Sequence, residues 1–364
     1  MKIWDRLARK ARLRAKAGLA REARVRTDAV DLAGNDYLGL SRDRRVTAAA
    51  AAALDEYGLG ASGSRLVRGT TDLHEAFESD FARHVGAETA TLYSSGYMAN
   101  LGAVAALPGP VLLDAHAHAS LHDAARLAGF GSGTFAHNDL DDLERALAEL
   151  RPAVVAVESV YSVLGDAAPL AEIRALAAEH EALLLVDEAH AVGTVGPDGA
   201  GGAVAAGLGG DPGVVVTATL SKALGSAGGV VAGPVALRRH LTDTSRTFIY
   251  DTAPPPAVVA GAGEALSIAR SAAEARAELR RRAARAAADL EAPVPAAGVL
   301  SPAAGEARAA ADWAARCGDR GVAVGCFRPP STPDHRSRLR LTVNTGVGAA
   351  DFEKALRVVK EERP

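Results

Sequence analysis

Lys222 is the residue around which chemistry can be built. It stands in Thr217-Ala218-Thr219-Leu220-Ser221-Lys222-Ala223-Leu224-Gly225, directly after the apolar run Val214-Val215-Val216. Such a run reads as a buried strand, so the lysine falls just past a strand end, among small residues and hydroxyls. Dry surroundings disfavour its ammonium form, and the neutral amine is a nucleophile for an aldehyde, as in Schiff-base lysines. A surface lysine in a turn is the alternative, and Ser-Lys alone does not decide. Upstream, Ala182-Leu183-Leu184-Leu185-Val186-Asp187-Glu188-Ala189-His190 repeats the pattern. Its apolar run ends on Asp187, at the carboxyl end of a strand, where open α/β sheets place their ligands. His190 is close enough to face the same site. An aspartate at a strand end with a lysine downstream suits pyridoxal phosphate. The carboxylate keeps the pyridine nitrogen protonated so that the ring accepts electrons, and the lysine holds the aldehyde. Singly, Asp187-Glu188 also reads as a helix cap and His190 as a structural histidine; their joint spacing with Lys222 argues for the site.

The elements that must position these groups alternate strand and helix, which predicts an α/β fold: a mostly parallel sheet with helices on both faces, followed by a smaller α+β part. The chain divides as 1–40, an N-terminal helix and arm; 41–255, a large domain; and 256–364, a small C-terminal domain. Leu7, Ala11, Ala15 and Leu19 recur at helical spacing in a Lys/Arg-rich segment, which predicts a solvated helix packing one face. A border for an anionic acyl carrier is its functional alternative. Thr89 to Tyr93 reads as a strand, and Ser94-Ser95-Gly96-Tyr97 as the start of a helix whose backbone N–H groups suit a phosphate. Tyr97 either covers a cofactor there or belongs to an ordinary capped helix. Val154 to Ser159 is a strand with Glu158 at its carboxyl end and Ser162 just beyond. Gly228 to Gly233, Val322 to Phe327 and Arg338 to Asn344 are further strands, and Pro256 to Leu290 is a long helical stretch.

Several other chemistries are excluded or disfavoured. The formal net charge of −3 argues against a general nucleic-acid binder. Cys317 and Cys326 lack metal or redox spacing, no apolar run suits a bilayer span, and the N-terminus lacks a signal core. A reducing cytoplasm is the expected setting. Gly58-Leu59-Gly60-Ala61-Ser62-Gly63 matches a dinucleotide fingerprint by letter, but a helix precedes it where the fingerprint needs a strand. This loop instead lets backbone approach a ligand or a partner subunit. His116, His118 and His122 invite a metal, yet only Asp114 and Asp123 are at hand to complete a set, so no metal is expected. A ring stacked on a planar cofactor explains one of these histidines better. The two arginines of Arg338-Leu339-Arg340-Leu341 share one strand face, where an arginine fork pairs with a carboxylate.

The ordered pieces make a wider pattern. They are Asn35-Asp36-Tyr37-Leu38-Gly39-Leu40, Ser95-Gly96-Tyr97, His118-Ala119-Ser120-Leu121, His137-Asn138-Asp139, Gly165-Asp166 before Ala168-Pro169-Leu170, Asp187-Glu188-Ala189-His190, Ser221-Lys222, Arg328-Pro329-Pro330 and Arg338-Leu339-Arg340-Leu341-Thr342. Across nearly the whole chain this order resembles the α-oxoamine synthases, fold type I pyridoxal phosphate enzymes. The resemblance implies catalytic roles for Lys222, His118, Asp187 and His190. It implies pyridoxal 5′-phosphate held by Gly96, Tyr97, His118, Glu158, Ser162, Asp187, His190, Thr219, Lys222 and Thr252. Substrate contacts fall to Arg21, Asn35, His118, Arg328, Ser331 and Arg340. It further implies a homodimer with shared active sites, Thr252 reaching the neighbour's phosphate. The Arg-Pro-Pro and Arg-Leu-Arg-Leu-Thr runs favour a decarboxylative condensation of L-alanine with an acyl thioester, a pimeloyl chain on coenzyme A or on an acyl carrier protein. A sister synthase using glycine or serine is the alternative within the family, and an inactive scaffold subunit the alternative outside enzymes. Three departures stand out: Val163-Leu164 where the family has Met-Asp, Asp251 where it has a small hydroxyl residue, and a shortened link between Arg26 and Asn35.

Overall fold

The computed structural model describes residues 2–23 and 25–364. Its strands are β1 (Val30–Leu32), β2 (Thr89–Tyr93), β3 (Val111–Asp114), β4 (Ser132–Phe135), β5 (Val154–Glu158), β6 (Leu183–Asp187), β7 (Val214–Thr219), β8 (Gly229–Gly233), β9 (Val299–Leu300), β10 (Val322–Phe327) and β11 (Arg338–Thr342). Seven form one sheet in the order β2-β8-β7-β6-β5-β3-β4, and β8 alone runs against its two neighbours. The other four form a smaller sheet in the order β1-β10-β11-β9, in which β1 is parallel to β10. The mostly parallel sheet predicted from the apolar runs is present, with helices on both faces.

Strand alternation sorts the core into two layers. Val155, Val157, Leu184, Val186, Val214 and Val216 face one apolar cluster. Val154, Ala156, Leu185 and Val215 face the other, against the helices Gly96–Ala106 and Ala119–Ala128. The parallel register sets Glu158 beside Asp187, and Asp187 beside Thr217. These three polar side chains continue the second face at the carboxyl ends of adjacent strands, directly against the helix Gly96–Ala106.

Two expectations need correction, and one strand went unread. The N-terminal helix, Lys2–Lys16, buries none of its residues, and Trp4 is 71% exposed; its apolar stripe finds no partner face within the described residues, and Leu19 lies beyond its end. The stretch from Pro256 is two helices, Pro256–Arg270 and Ala273–Asp289, interrupted at Ser271-Ala272. The first packs against the helices Arg44–Tyr57 and Asp72–Val85. Finally, β4 was not anticipated: its Ser-Gly-Thr-Phe sequence carries one fully buried residue, Phe135, and pairs only with β3 at the sheet edge.

Candidate active site

Lys222 lies in the turn between β7 and β8. That turn is fixed by Gly225 at φ +59°, where a Cβ would meet the Ser41 nitrogen at 2.3 Å, so only glycine lets the two backbones approach this closely. The Lys222 amine is 2.8 Å from His190 Nε2, and His190 Nδ1 is 2.5 Å from the Tyr37 hydroxyl. Burial pulls the Lys222 ammonium down to about 8, against the opposing pull of Asp187 and Glu158. Burial, then the charge of Lys222, holds His190 well below its ordinary value. A neutral His190 that accepts from Lys222 at Nε2 carries its proton on Nδ1 and donates it to Tyr37. Burial also pushes the Tyr37 phenol up to about 12.

Beside the lysine is a carboxylate pair. Asp187 is buried and accepts hydrogen bonds from the Ala189 backbone (2.9 Å) and from Asn100 Nδ2 (2.7 Å). Glu158 accepts from the Ser162 nitrogen and hydroxyl, at 3.0 and 3.3 Å. Its carboxyl is raised to about 8, first by burial and then by the Asp187 charge. The Glu158 carboxyl is therefore protonated near neutral pH. His118 caps the helix Ala119–Ala128 and is bonded to Ser120 Oγ at 2.7 Å. Burial lowers its pKa, so the ring is neutral.

A cradle of helix-start N–H groups and hydroxyls adjoins these groups. Ser95 caps the helix Gly96–Ala106 by accepting from the Met98 nitrogen. A Cβ on Gly96 would come within 2.9 Å of Thr219 Cβ, so glycine keeps this helix start open beside the Thr219 and Ser221 hydroxyls, themselves 2.8 Å apart. Helix-start N–H groups and hydroxyls bind phosphate. Asp187, Lys222 and His118 are set for a pyridine nitrogen, an aldehyde and a ring face, so the residues fit pyridoxal 5′-phosphate.

On the other side, Arg340 is almost wholly buried. Its Nε donates to Ser162 O at 2.7 Å, and Nη1 and Nη2 both reach Asn35 Oδ1 at 3.2 Å. The Phe327 ring carries the guanidinium, 5.2 Å from the ring centroid. Phe327 also lines a cleft of about 790 Å³ shared with Leu19, Arg21, Arg328 and Ser331. There Arg21 donates to Ser331 Oγ at 2.7 Å, and Arg328 donates to the Gly18 and Ala20 carbonyls. Both hydrogen-bonding ends of Arg328 thus fasten the arm.

Two predicted cofactor residues have other partners. Tyr97 is exposed and bonded to Asp123. Thr252 forms an isolated bridge with Ser64 at the end of the glycine loop, and its nitrogen donates to Asp251 Oδ1 at 2.9 Å. Asp251 in turn accepts from Ser94, next to the cradle. Asp166 and Asp114 hold His137 between them, at 2.7 and 2.9 Å, and these two carboxylates raise it to about 9 against the effect of burial. Among the described residues no metal-binding cluster is present.

Asn100, Ser120 and Thr217 were given no role from sequence. An asparagine inside a helix of small apolar residues is the one signal that marks Asn100, since asparagine is a poor helix-interior residue.

Comparison with known proteins places this geometry. Residues 27–359 match the aminotransferase class I and II family. The 8-amino-7-oxononanoate synthase of Mycolicibacterium smegmatis is 50% identical, covering 93% of this chain and 91% of the relative. The enzyme of that name from Mycolicibacterium vanbaalenii is 48% identical, covering 96% and 94%. Among solved structures, a serine palmitoyltransferase from S. paucimobilis with bound PLP–myriocin superposes with a TM-score of 0.91 at 30% identity, covering 99% of this chain and 97% of that one. The 8-amino-7-oxononanoate synthase of Francisella tularensis superposes with a TM-score of 0.79 at 25% identity, covering 92% and 97%.

Proposed function

The chain belongs to the class I and II aminotransferase family, and we propose that it is the pyridoxal 5′-phosphate-dependent acyltransferase that condenses L-alanine with a pimeloyl thioester, releasing carbon dioxide, the carrier thiol and 8-amino-7-oxononanoate for biotin synthesis. The observation that carries this reading is the half-buried Lys222, its amine bonded to His190 and set beside Asp187. The choice of product rests on relatives of that name at 48–50% identity over nearly the whole chain.

When bound, the cofactor supplies an aldehyde for the amino group and a protonated ring that accepts the electrons freed at the α-carbon. Asp187, oriented by Ala189 N and Asn100 Nδ2, would face the ring nitrogen. His190, backed by Tyr37, points the Lys222 amine, whose depressed pKa makes it a competent base for the α-proton of alanine. The Arg340 fork, now occupied by Asn35 Oδ1, binds the amino-acid carboxylate, with the Asn35 amide as a second donor. The new carbon–carbon bond joins the α-carbon to the thioester carbonyl carbon, and the thiolate leaves. Arg21 and Ser331 line the acyl approach, and Arg328 shapes it by holding Gly18 and Ala20. The carrier is coenzyme A or an acyl carrier protein. In this reading 41–255 is the cofactor-binding part and 256–364 the smaller C-terminal part. The purified enzyme should form 8-amino-7-oxononanoate from L-alanine and pimeloyl thioester, measured by mass spectrometry. Faster consumption of glycine than of alanine would move it to a sister synthase, and a protein that takes up no cofactor would be a scaffold.

The active unit in this reading is a cytoplasmic homodimer. Leu59, Val67 and Tyr250 are 83%, 78% and 72% exposed around the Ser64–Thr252 bridge, an apolar surface suited to a second copy. Across it Thr252 reaches the partner's phosphate cradle. Mixed Lys222→Ala and Thr252→Ala subunits should recover activity that neither parent has, because one hybrid site is then intact. Hybrids verified by mass and no more active than the parents would rule out shared sites.

A further inference from the structure

Asn100 occupies the junction of two hydrogen-bonded arms under the site. Thr217 Oγ1 donates to Asn100 Oδ1 at 2.6 Å, which fixes the amide orientation. Asn100 Nδ2 then has two hydrogens, and the structure gives each an acceptor: Asp187 Oδ2 at 2.7 Å and Ser120 Oγ at 2.8 Å. All four side chains, Asn100, Ser120, Asp187 and Thr217, are buried. Because Ser120 Oγ receives a hydrogen from Asn100, its own single hydrogen goes to its remaining neighbour, His118 Nδ1, at 2.7 Å. The Ser120 backbone nitrogen also points at this atom, at 3.3 Å. An imidazole nitrogen that accepts from both carries no proton, so the proton of neutral His118 sits on Nε2.

Resting on the proposed reading, we infer that Asn100 is a positioning residue that sets two partners of the cofactor at once: it aims the Asp187 carboxylate, and through Ser120 it holds His118 as the Nε2–H tautomer. His118 is thereby a hydrogen-bond donor over the ring and not a base. Lys222 is then the amine base of the cluster, its ammonium pKa lowered. The row Glu158–Asp187–Thr217 explains why the device is possible, since the strand register places Thr217 one strand from the carboxylate that Asn100 must orient.

The test is nitrogen NMR of the holoenzyme with 15N-labelled histidine, His118 being assigned by the signal lost in His118→Gln. The wild type should show an unprotonated Nδ1 and a protonated Nε2. In Asn100→Asp the new carboxylate accepts from Ser120, so Ser120 can no longer give its hydrogen to His118. Proton occupancy should then shift onto Nδ1, and the dissociation constant for pyridoxal phosphate should rise by roughly ten- to a hundredfold, the scale of one lost charged hydrogen bond. If Asn100→Asp does not fold, Asn100→Ala should raise the same constant and give a mixed His118 signal. A wild-type His118 protonated at Nδ1 overturns the inference, as does a variant that changes cofactor affinity while leaving both ring nitrogens as in wild type. Neither readout needs a substrate, so a mistaken substrate assignment leaves this result standing.

Discussion

Replacing Lys222 by alanine is expected to lower turnover by at least about 10³-fold, since a positioned general base alone contributes about 10²–10⁴-fold and the same amine also anchors the cofactor. Loss of fold is not the cause expected. Lys222 is a half-buried cation that loses part of its solvation on folding, in the direction that its pKa of about 8 shows, and removing such a group spares part of a desolvation cost. The melting temperature of the variant should therefore equal or exceed that of the parent. The truncation leaves a space beside His190 Nε2 of the size of a small amine, so methylamine should restore part of the activity in a concentration-dependent way. A variant that retains a tenth of parental turnover would remove Lys222 from the mechanism.

Asp187→Asn is the second large effect. Asp187 receives hydrogen bonds from Ala189 N and Asn100 Nδ2. An asparagine amide must present its NH2 to one of these donors, and it brings no charge to a pyridine nitrogen. Removing one partner from a buried ion pair costs about 3–5 kcal/mol, or about 10²–10⁴ in rate at about 1.4 kcal/mol per decade. The expected signature is a fall in kcat of that size, with the KM for alanine changing far less because Arg340 still binds the carboxylate. The Asp187 charge also helps to raise Glu158 to about 8. In the variant that carboxyl should ionise at lower pH, readable by infrared titration of the carboxyl band. Equal losses in kcat and in alanine affinity would show that the substitution had disturbed the substrate pocket instead.

How much of this was legible in the chain follows from the physics of each part. Fully buried parallel strands advertise themselves as apolar runs, and a polar residue ending such a run is conspicuous; Asp187, Glu158 and Lys222 were found this way. β4 was missed because an edge strand with one buried residue leaves almost no apolar signal. The N-terminal periodicity gave a helix but could not say whether anything covers its stripe. Asn100–Thr217 and Tyr37–His190 are pairings between residues far apart in the chain, and no local pattern encodes which distant hydroxyl satisfies a buried amide or imidazole. Arg328 illustrates the same limit: the resemblance gave it a substrate contact, whereas its donors meet the carbonyls of Gly18 and Ala20. Arg340 was chosen over Arg338 by resemblance. The fold distinguishes them, since Arg338 is spent on Asp334 and Ser301 O while Arg340 faces Asn35 and Ser162.

The central claim is that the Lys222 amine holds the aldehyde of the cofactor, and it is tested most directly by chemical trapping. The holoenzyme is reduced with borohydride, digested and mapped by mass spectrometry. A pyridoxyl group on the peptide that contains Ser221-Lys222-Ala223, absent from Lys222→Ala, is the predicted result. The label on any other lysine, or no label on a protein that binds the cofactor, would contradict it.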